Sequence, residues 1–265
     1  MAAVLLSTLG LALPVFARAL GLVITAPGWG LVGVGMRIRV VLAGLIACAL
    51  LPAATRGQTD PAPHVAAVFS PLACCGELVI GVALGLAGAL VVGAFRQAGE
   101  LIALQAALSP ASVLDMEPGV GEASTPFGQL FGIIAVTTYL AIGGPARLIE
   151  AFAQSYQAFP LGGVSFGDMT TTTLALDLFG RLGRALALAV QAASPVGLAL
   201  LVAGFGMAWL ARGGGLRSLG GLSWPTRWAL GVGLTMLLLP SAVAIAQAAW
   251  GASFYWVNGL ERAIP

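Results

Sequence analysis

The sequence has very few charged side chains, no lysine and a single histidine. Its 265 residues include 12 basic residues, all arginine, and 10 acidic ones, so charged residues make up only 8% of the chain. A soluble domain usually contains about 25% charged residues, and this chain therefore cannot cover an ordinary water-facing surface. Because 59% of the residues are hydrophobic and the mean hydropathy is +0.98, a disordered chain is excluded as well. The composition predicts an integral membrane protein.

Several kinds of functional site lack the residues they need. His64 alone does not supply a His-dependent triad or a multi-His metal site, and no P-loop or HExxH motif occurs. The cysteines have neither disulfide nor metal-ligand spacing and are interpreted as small hydrophobic residues; they are Cys48, Cys74 and Cys75. The net charge of +2 argues against a nucleic-acid partner. We therefore expect no catalytic residue, no metal and no cofactor, and we do not expect an enzyme.

Long apolar stretches predict an all-α membrane fold. A helix that crosses a bilayer needs about 20 mostly apolar residues. About six stretches approach that length, and they cover residues 2–27, 40–54, 72–95, 127–144, 185–210 and 228–250. The second is either short and tilted or begins at Met36. Polar joints separate the stretches, and the longest of these joints covers residues 147–184.

The whole chain, residues 1–265, is interpreted as one membrane domain, because no soluble domain and no repeat of fixed period interrupts it. Near the N-terminus, Ala17, Arg18 and Ala19 have the A-x-A form of a signal-peptide cleavage site. No positively charged n-region precedes them, so a retained first helix is predicted. The arginines divide almost equally between the two sides of the membrane, which leaves the orientation open.

Glycine and proline lie inside several apolar segments. One interpretation gives them no special role, because glycine is common in membrane helices. The other is that these helices are bent and buried against protein, since breaks at proline free backbone groups that lipid cannot satisfy. Gly81 and Gly85 have the G-x-x-x-G spacing that permits close approach of two helices. The other positions are Pro14, Gly88, Gly93, Pro195, Gly204, Gly206 and Pro240.

The most informative stretch covers residues 96–122. Arg96 and Glu100 are four residues apart, so they lie on one helical face and can pair. Gly99 and Ala103 mark a neighbouring face that a second helix can approach. A loop with several glycine and proline residues follows over 109–122. This loop either faces a pore or is an ordinary solvent loop.

The sequence resembles the FliR/SctT family, the inner-membrane export-gate subunits of bacterial type III secretion systems. The family's Gly-Glu-x-Ile-x-x-Gln-x-x-x-Ser motif is matched here, just after Arg96, by Gly99, Glu100, Ile102, Gln105 and Ser109. Earlier matches are Arg18, Pro27, Arg37, Arg39 and Pro52. Later matches are Gly143, Gly144, Leu148, Ile149, Glu150, Ser155, Tyr156 and Pro160. The order and spacing of these motifs over nearly the whole chain carry the resemblance.

The chain departs from the family pattern at several positions. Ala107 replaces a glycine, Met116 follows Asp115 where the family has proline, and Pro145 replaces a histidine. The family's Pro-Gln loop between the last two helices is absent, and residues 212–225 occupy its place. The contacts which that loop makes with partner subunits are therefore not carried over to this chain.

The resemblance implies a structural role in a protein-conducting gate of the bacterial inner membrane, at the base of a flagellum or an injectisome. It implies helical partner subunits of the FliP/SctR-like and FliQ/SctS-like kinds and an FlhB/SctU-like subunit. The substrates would be unfolded secreted proteins, and the helices would be largely buried in the hetero-oligomeric assembly within the lipid bilayer. It also implies a plug or gasket loop in the closed pore. In this chain the plug comprises Ser109, Pro110, Ala111, Ser112, Val113, Leu114, Asp115, Met116, Glu117, Pro118 and Gly119.

A small secondary transporter is the alternative function, because ionisable residues inside a membrane commonly mark substrate or proton pathways. Its candidate residues are Glu77, Arg96, Glu100 and Glu150. All four lie near segment ends, where pairing at the membrane interface is the simpler interpretation. We find no internal pseudo-symmetry, which transporters tend to show. A membrane-embedded enzyme would need clustered His, Asp or Glu, which the sequence lacks, so the gate function is favoured.

Overall fold

A computed structural model of the protein describes residues 2–28, 35–55, 71–106, 125–161, 169–212 and 223–257. Within these residues the chain forms helices and no strand, which confirms the all-α prediction. The helices are α1 (Ala2–Thr25), α2 (Met36–Thr55), α3 (Pro71–Gln105), α4 (Pro126–Ala141), α5 (Gly144–Ala158), α6 (Met169–Arg212) and α7 (Ser223–Val257).

Three of these helices contain stretches that are long and apolar enough to cross a membrane. They are Ala73–Gln105 in α3, Leu176–Met207 in α6 and Trp228–Ser253 in α7. α4 and α5 qualify together as one broken span with a bend of 68°. In α1 the apolar stretch Ala12–Thr25 is shorter. The membrane-protein prediction is confirmed, but the described helices provide three spans, or four with the bent pair, rather than the six predicted.

The helices extend well into stretches predicted as polar joints. α2 begins at Met36, which confirms the second of the two alternatives for that segment. α3 continues past Phe95 to Gln105, and α6 begins at Met169, inside the predicted joint 147–184. Most of that joint is helical, so its prediction as a joint was wrong.

α5 is amphipathic, which is why average hydropathy did not reveal it. Its buried side chains recur at intervals of three and four residues, and they are Leu148, Ala151, Phe152, Ser155 and Tyr156. Arg147 and Glu150 lie on the opposite face and are exposed. One stripe of such a helix joins a core while the rest stays polar, so its mean hydropathy is low.

Two glycines form the bend between α4 and α5. Gly143 has a φ of 71°, in the left-handed region that glycine adopts without strain. A Cβ atom on Gly144 would overlap the ring of Tyr139, lying 2.7 Å from its Cγ. Pro145 follows in the first turn of α5, where a backbone N–H has no partner within the helix. The predicted motif residues Gly143 and Gly144 therefore lie at a sharp turn that other residues would strain.

The contacts within the chain divide it into two compact units. The first contains Met1–Leu90, Tyr139–Gly183 and Trp250–Pro265, and the second contains Val91–Thr138 and Arg184–Ala249. The core of the first unit includes Val15, Leu22, Val23, Ala43, Ile46, Ile80, Leu84 and Phe152. Buried residues of the second unit include Phe95, Ile102, Phe127, Phe131 and Val196. The single domain over 1–265 stays a prediction.

In the first unit α1 and α3 approach each other at glycine positions. A Cβ atom on Gly85 would lie 2.8 Å from the carbonyl oxygen of Leu22 and 2.9 Å from the backbone nitrogen of Ala26. Gly81 lies in the same way against the backbone carbonyl of Arg18. The close approach predicted from the G-x-x-x-G spacing is confirmed, and it brings the side chain of Arg18 within reach of α3.

Candidate functional site

A buried ion pair joins α1 to α3 in the first unit. The Nε atom of Arg18 donates a hydrogen bond of 2.5 Å to Oε2 of Glu77, and Nη2 of Arg18 lies 2.5 Å from the same oxygen. The two side chains are 0% and 1% exposed. A charge in such surroundings needs a partner of opposite sign and a full set of hydrogen bonds.

Arg18 also binds the C-terminal end of α5. Its Nη2 donates to the carbonyl oxygen of Phe159 at 2.9 Å, and its Nη1 donates to the carbonyl oxygen and Oγ of Ser155 at 3.3 and 3.2 Å. The last carbonyls of a helix have no partner inside it and carry partial negative charge, so a guanidinium is well placed there. The ring of Tyr156 lies 4.4 Å from the guanidinium carbon and adds a cation–π contact.

One guanidinium thus holds three helices, α1, α3 and α5, through nearly all of its N–H donors. The pair carries no net charge, and its hydrogen bonds end on the protein itself. The ion pair therefore has a structural role: it holds the three helices together, and the carboxylate of Glu77 is bound to Arg18. The sequence singled out Arg18 through the family resemblance and Glu77 through the transporter alternative, but it did not pair them. The signal was available, because isolated charges inside apolar segments usually pair with one another.

A second arrangement surrounds the start of α4 in the second unit. Oε1 of Glu100 accepts a hydrogen bond of 2.9 Å from the backbone N–H of Thr125. Oγ1 of Thr125 accepts one of 3.1 Å from the N–H of Gly128, and the carbonyl oxygen of Thr125 accepts one of 2.9 Å from Gln129. Thr125 is therefore the N-cap of α4, and Glu100 on α3 binds the N–H of that cap residue.

Glycines make room for this contact. A Cβ atom on Gly99 would lie 2.5 Å from the carbonyl carbon of Phe127, so the backbones of α3 and α4 touch there. A Cβ atom on Gly128 would lie 2.9 Å from the carboxyl carbon of Glu100. The helix contact predicted at Gly99 and Ala103 is confirmed, and Ala103 is fully buried.

The predicted pairing of Arg96 with Glu100 was wrong. No ion pair joins these two residues, both of which the structure describes. Glu100 instead binds Thr125, and the side chain of Arg96 lies along α4, with its Cγ 2.9 Å from where a Cβ on Gly132 would be. A spacing of four residues places two side chains on one face, but the packing of α4 against that face decides what each one contacts.

The end of α3 packs against glycines of α6 and α7. A Cβ atom on Gly197 would lie 3.0 Å from Oε1 of Gln105, and one on Gly231 would lie 2.9 Å from Cβ of Ala106. A cavity of about 370 Å³ adjoins this point, and apart from Gln105 its lining is apolar: Leu200, Leu201, Ala203, Gly204, Phe205, Met207 and Leu230. The last described residues before the predicted plug, Gln105 and Ala106, thus contact two other helices, α6 and α7.

The other predicted site residues have varied positions. Pro27 is buried, with its Cγ 2.8 Å from where a Cβ on Gly88 would be, and Pro160 is exposed just after α5. The predicted plug, Ser109 to Gly119, lies outside the described residues.

Cys48 and Cys75 are exposed and Cys74 is partly buried, so the cysteines lie mostly on the surface. Among the described residues, no group of three or more His, Cys, Asp or Glu side chains could hold a metal ion.

Comparisons with known proteins identify the family of the chain. A family model described as bacterial export proteins, family 1, matches residues 9–253. The flagellar biosynthetic protein FliR of Pectobacterium carotovorum subsp. carotovorum is 32% identical over 146 residues, and that of Caulobacter vibrioides is 30% identical over 146 residues. The Yop proteins translocation protein T of Yersinia pestis is 25% identical over 136 residues. These alignments cover 51–55% of this chain and 51–57% of the relatives, so the chain spans about half the length of the curated relatives it matches.

Proposed function

The chain belongs to the bacterial export proteins, family 1, and from this membership we propose that it is a structural subunit of a type III protein-export gate. The gate would move unfolded proteins across the bacterial inner membrane, in a flagellar or an injectisome system. The observation that carries the proposal is the family match over residues 9–253. Relatives named for flagellar biosynthesis and for Yop translocation support it from both kinds of system.

The chemistry of the described residues supports a structural role. Arg18 and Glu77 neutralise each other and bind three helices, and Glu100 caps a neighbouring helix. These contacts use ionisable side chains to hold helices together instead of presenting them to a substrate. A non-catalytic subunit of an assembly needs this kind of internal support.

The proposed partners are helical membrane subunits of the FliP/SctR-like, FliQ/SctS-like and FlhB/SctU-like kinds. Exposed apolar side chains on α6 and α7 supply surface for them. Phe205 is 70% exposed and Trp209 is 77% exposed, and Leu186, Val190, Val202, Met236 and Leu237 are exposed as well. So much apolar surface requires lipid or protein cover. In the proposed assembly, partner helices cover part of it in the inner membrane.

The loop from Ser109 to Gly119 is the proposed plug of the closed pore. Its support is the arrangement of the described residues on either side of the connection 107–124, since Gln105 and Ala106 pack against α6 and α7 and Thr125 is bound to Glu100. Both helices that lead into the connection are therefore fixed. A plug needs such fixed ends to return to one position.

The first test is the composition of the complex. We expect the tagged protein, purified in mild detergent from its native membranes, to be one copy among several small helical membrane subunits, as shown by native mass measurement. A stable monomer or homodimer would contradict the gate and favour the transporter alternative.

The second test is replacement of Ser109–Gly119 by a Gly/Ser segment of the same length. We expect the complex to assemble and its membranes to leak small ions. An equal replacement in the connection 56–70 is the control. Ion-tight membranes with fully assembled complex would refute the assignment of the plug.

A further inference from the structure

The contact between Glu100 and Thr125 closes the base of the connection between α3 and α4. Glu100 lies in the last turns of α3, and Thr125 is the residue immediately before α4. The hydrogen bond of 2.9 Å therefore spans the connection and ties its exit to the helix from which it departs. The two ends of the connection are held close together whatever the residues between them do.

The chemistry of this contact is that of a capping box divided between two helices. In an ordinary capping box the N-cap hydroxyl accepts from the N–H of the third helical residue, whose own Glu or Gln returns to the N–H of the N-cap. Here Thr125 accepts from Gly128, the third residue of α4, but the returning carboxylate comes from Glu100 on α3. The carboxylate half of the capping box of α4 is therefore supplied by the preceding helix, while Thr125 supplies the hydroxyl half.

The glycine at position 128 fits this division of roles. A side chain there would occupy the space that the carboxylate of Glu100 fills, because its Cβ would lie 2.9 Å from Cδ and nearer still to Oε1. Glu100 has no competing ion pair with Arg96 among the described contacts. The absence of a side chain at Gly128 therefore leaves the space in which the carboxylate of Glu100 reaches Thr125.

We propose that Glu100 is a positioning residue of the export gate, which clamps Thr125 onto α3 and so fixes the base of the connection that carries the plug. The inference rests on the proposed function, since the connection must seal a pore for its position to matter. Fixing both ends of a chain segment removes most of the conformations that it would otherwise sample. Without the clamp, α4 keeps its N-cap hydroxyl and its backbone contact with Gly99, but the N–H of Thr125 loses its partner on α3.

The direct test is amide hydrogen exchange at Thr125 in the purified complex. Loss of a hydrogen bond to a carboxylate shifts such an equilibrium by about tenfold or more. We therefore expect Glu100→Ala to speed exchange at Thr125 by at least about that factor, while Glu100→Gln, which keeps an acceptor oxygen, retains most of the protection. Rapid exchange at Thr125 in the unaltered complex would overturn the proposal, whatever the variants do.

The functional test is the ion leak of membranes that contain equal amounts of assembled complex. Glu100→Ala should leak and Glu100→Gln should not. Gly128→Ala should leak by crowding the carboxylate, and in the Glu100→Ala background it should add less than about a twofold change, because both substitutions break one contact. Gly93→Ala is the matched control on α3, since a Cβ there meets nothing within 4 Å.

The outcomes separate the two proposals. If replacement of Ser109–Gly119 leaks but Glu100→Ala stays ion-tight, the clamp is wrong and the plug stands. If the replacement itself stays ion-tight in an assembled complex, the plug is wrong. A leak in Glu100→Gln equal to that of Glu100→Ala, with unchanged exchange at Thr125, also overturns the clamp.

Discussion

Replacing Glu77 alone by leucine should destabilise the protein more than replacing Glu77 and Arg18 together. Glu77 accepts from Arg18 at 2.5 Å, and both side chains are removed from solvent. Glu77→Leu leaves the guanidinium buried with no anionic partner in this contact. Removing one member of a buried ion pair typically costs about 3–5 kcal/mol.

Arg18→Met leaves the opposite charge and also removes a donor to α5. Its cost is again about 3–5 kcal/mol for the loss of the arginine's charge beside the buried carboxylate, with about 1–3 kcal/mol more for the carbonyl oxygen of Phe159, which loses the Nη2 donor at 2.9 Å. The carbonyl oxygen of Ser155 keeps its hydrogen bond of 2.9 Å from the N–H of Phe159, and Oγ of Ser155 still donates to Phe152.

The double variant Arg18→Met/Glu77→Leu has no buried charge at this point. Only the lost donor to Phe159 remains, at about 1–3 kcal/mol. The sum of the two single costs should therefore exceed the cost of the double variant by at least about 6 kcal/mol in a double-mutant cycle, since each single variant leaves one buried charge at a cost of about 3 kcal/mol or more.

The assay is equilibrium unfolding of the purified protein in detergent, followed by loss of helical circular dichroism as SDS is added. Measuring all four proteins under one condition gives the coupling free energy directly. Additive effects, with the double variant as unstable as the sum of the singles, would refute the reasoning that the pair is a buried, mutually dependent unit. The Gly93→Ala variant adds a methyl group into open space and removes a glycine from a helix interior, so it should be as stable as the unaltered protein or up to about 1 kcal/mol more stable.

Tyr156 offers a matched pair of substitutions. Its hydroxyl oxygen is buried with no hydrogen-bond partner among the described residues, so Tyr156→Phe should leave the free energy of unfolding unchanged or slightly higher. Its ring lies over the guanidinium of Arg18, so Tyr156→Leu should lower the free energy of unfolding by about 0.5–2 kcal/mol. Equal losses in both variants, measured by the same unfolding assay, would contradict a contribution from the ring. Arg96→Ala and Glu100→Ala should combine additively within about 0.5 kcal/mol, because no ion pair joins these residues. Strong coupling between the two substitutions would show that they interact after all.

Much of the fold could be predicted because its signals are local. The close approach of another helix to α3 followed from the spacing of Gly81 and Gly85, although the spacing did not identify α1 as that helix, and the start of α2 at Met36 was one of two stated alternatives. α5 was missed since it is a half-polar helix, and a search for apolar length passes over it. Its buried stripe of Leu148, Phe152 and Tyr156 was nevertheless present at helical spacing.

The candidate site was less accessible to sequence reasoning, because its contacts join distant residues. Arg18 and Glu77 are separated by 59 positions, and Arg18 and Phe159 by 141. Glu100 has Arg96 four positions away on the same helix, yet it binds Thr125, 25 positions away. The rule that residues four apart on a helix can pair favours Arg96 as the partner of Glu100. Only the packing of α4 against α3 brings Thr125 within hydrogen-bond distance instead.

By itself the sequence determined the class of the protein and its family. A chain with 8% charged residues and long apolar stretches must be sheltered from water, and the order of the motifs from Arg18 to Pro160 is a property of the chain alone. Tertiary structure decided which charges meet. In a low-dielectric interior each ionisable group needs a partner. The sequence offers several residues that could be that partner and does not show which one is in contact. The glycine contacts at Gly81, Gly85, Gly99 and Gly128 set which helices come close enough, and so selected Glu77 for Arg18 and Thr125 for Glu100.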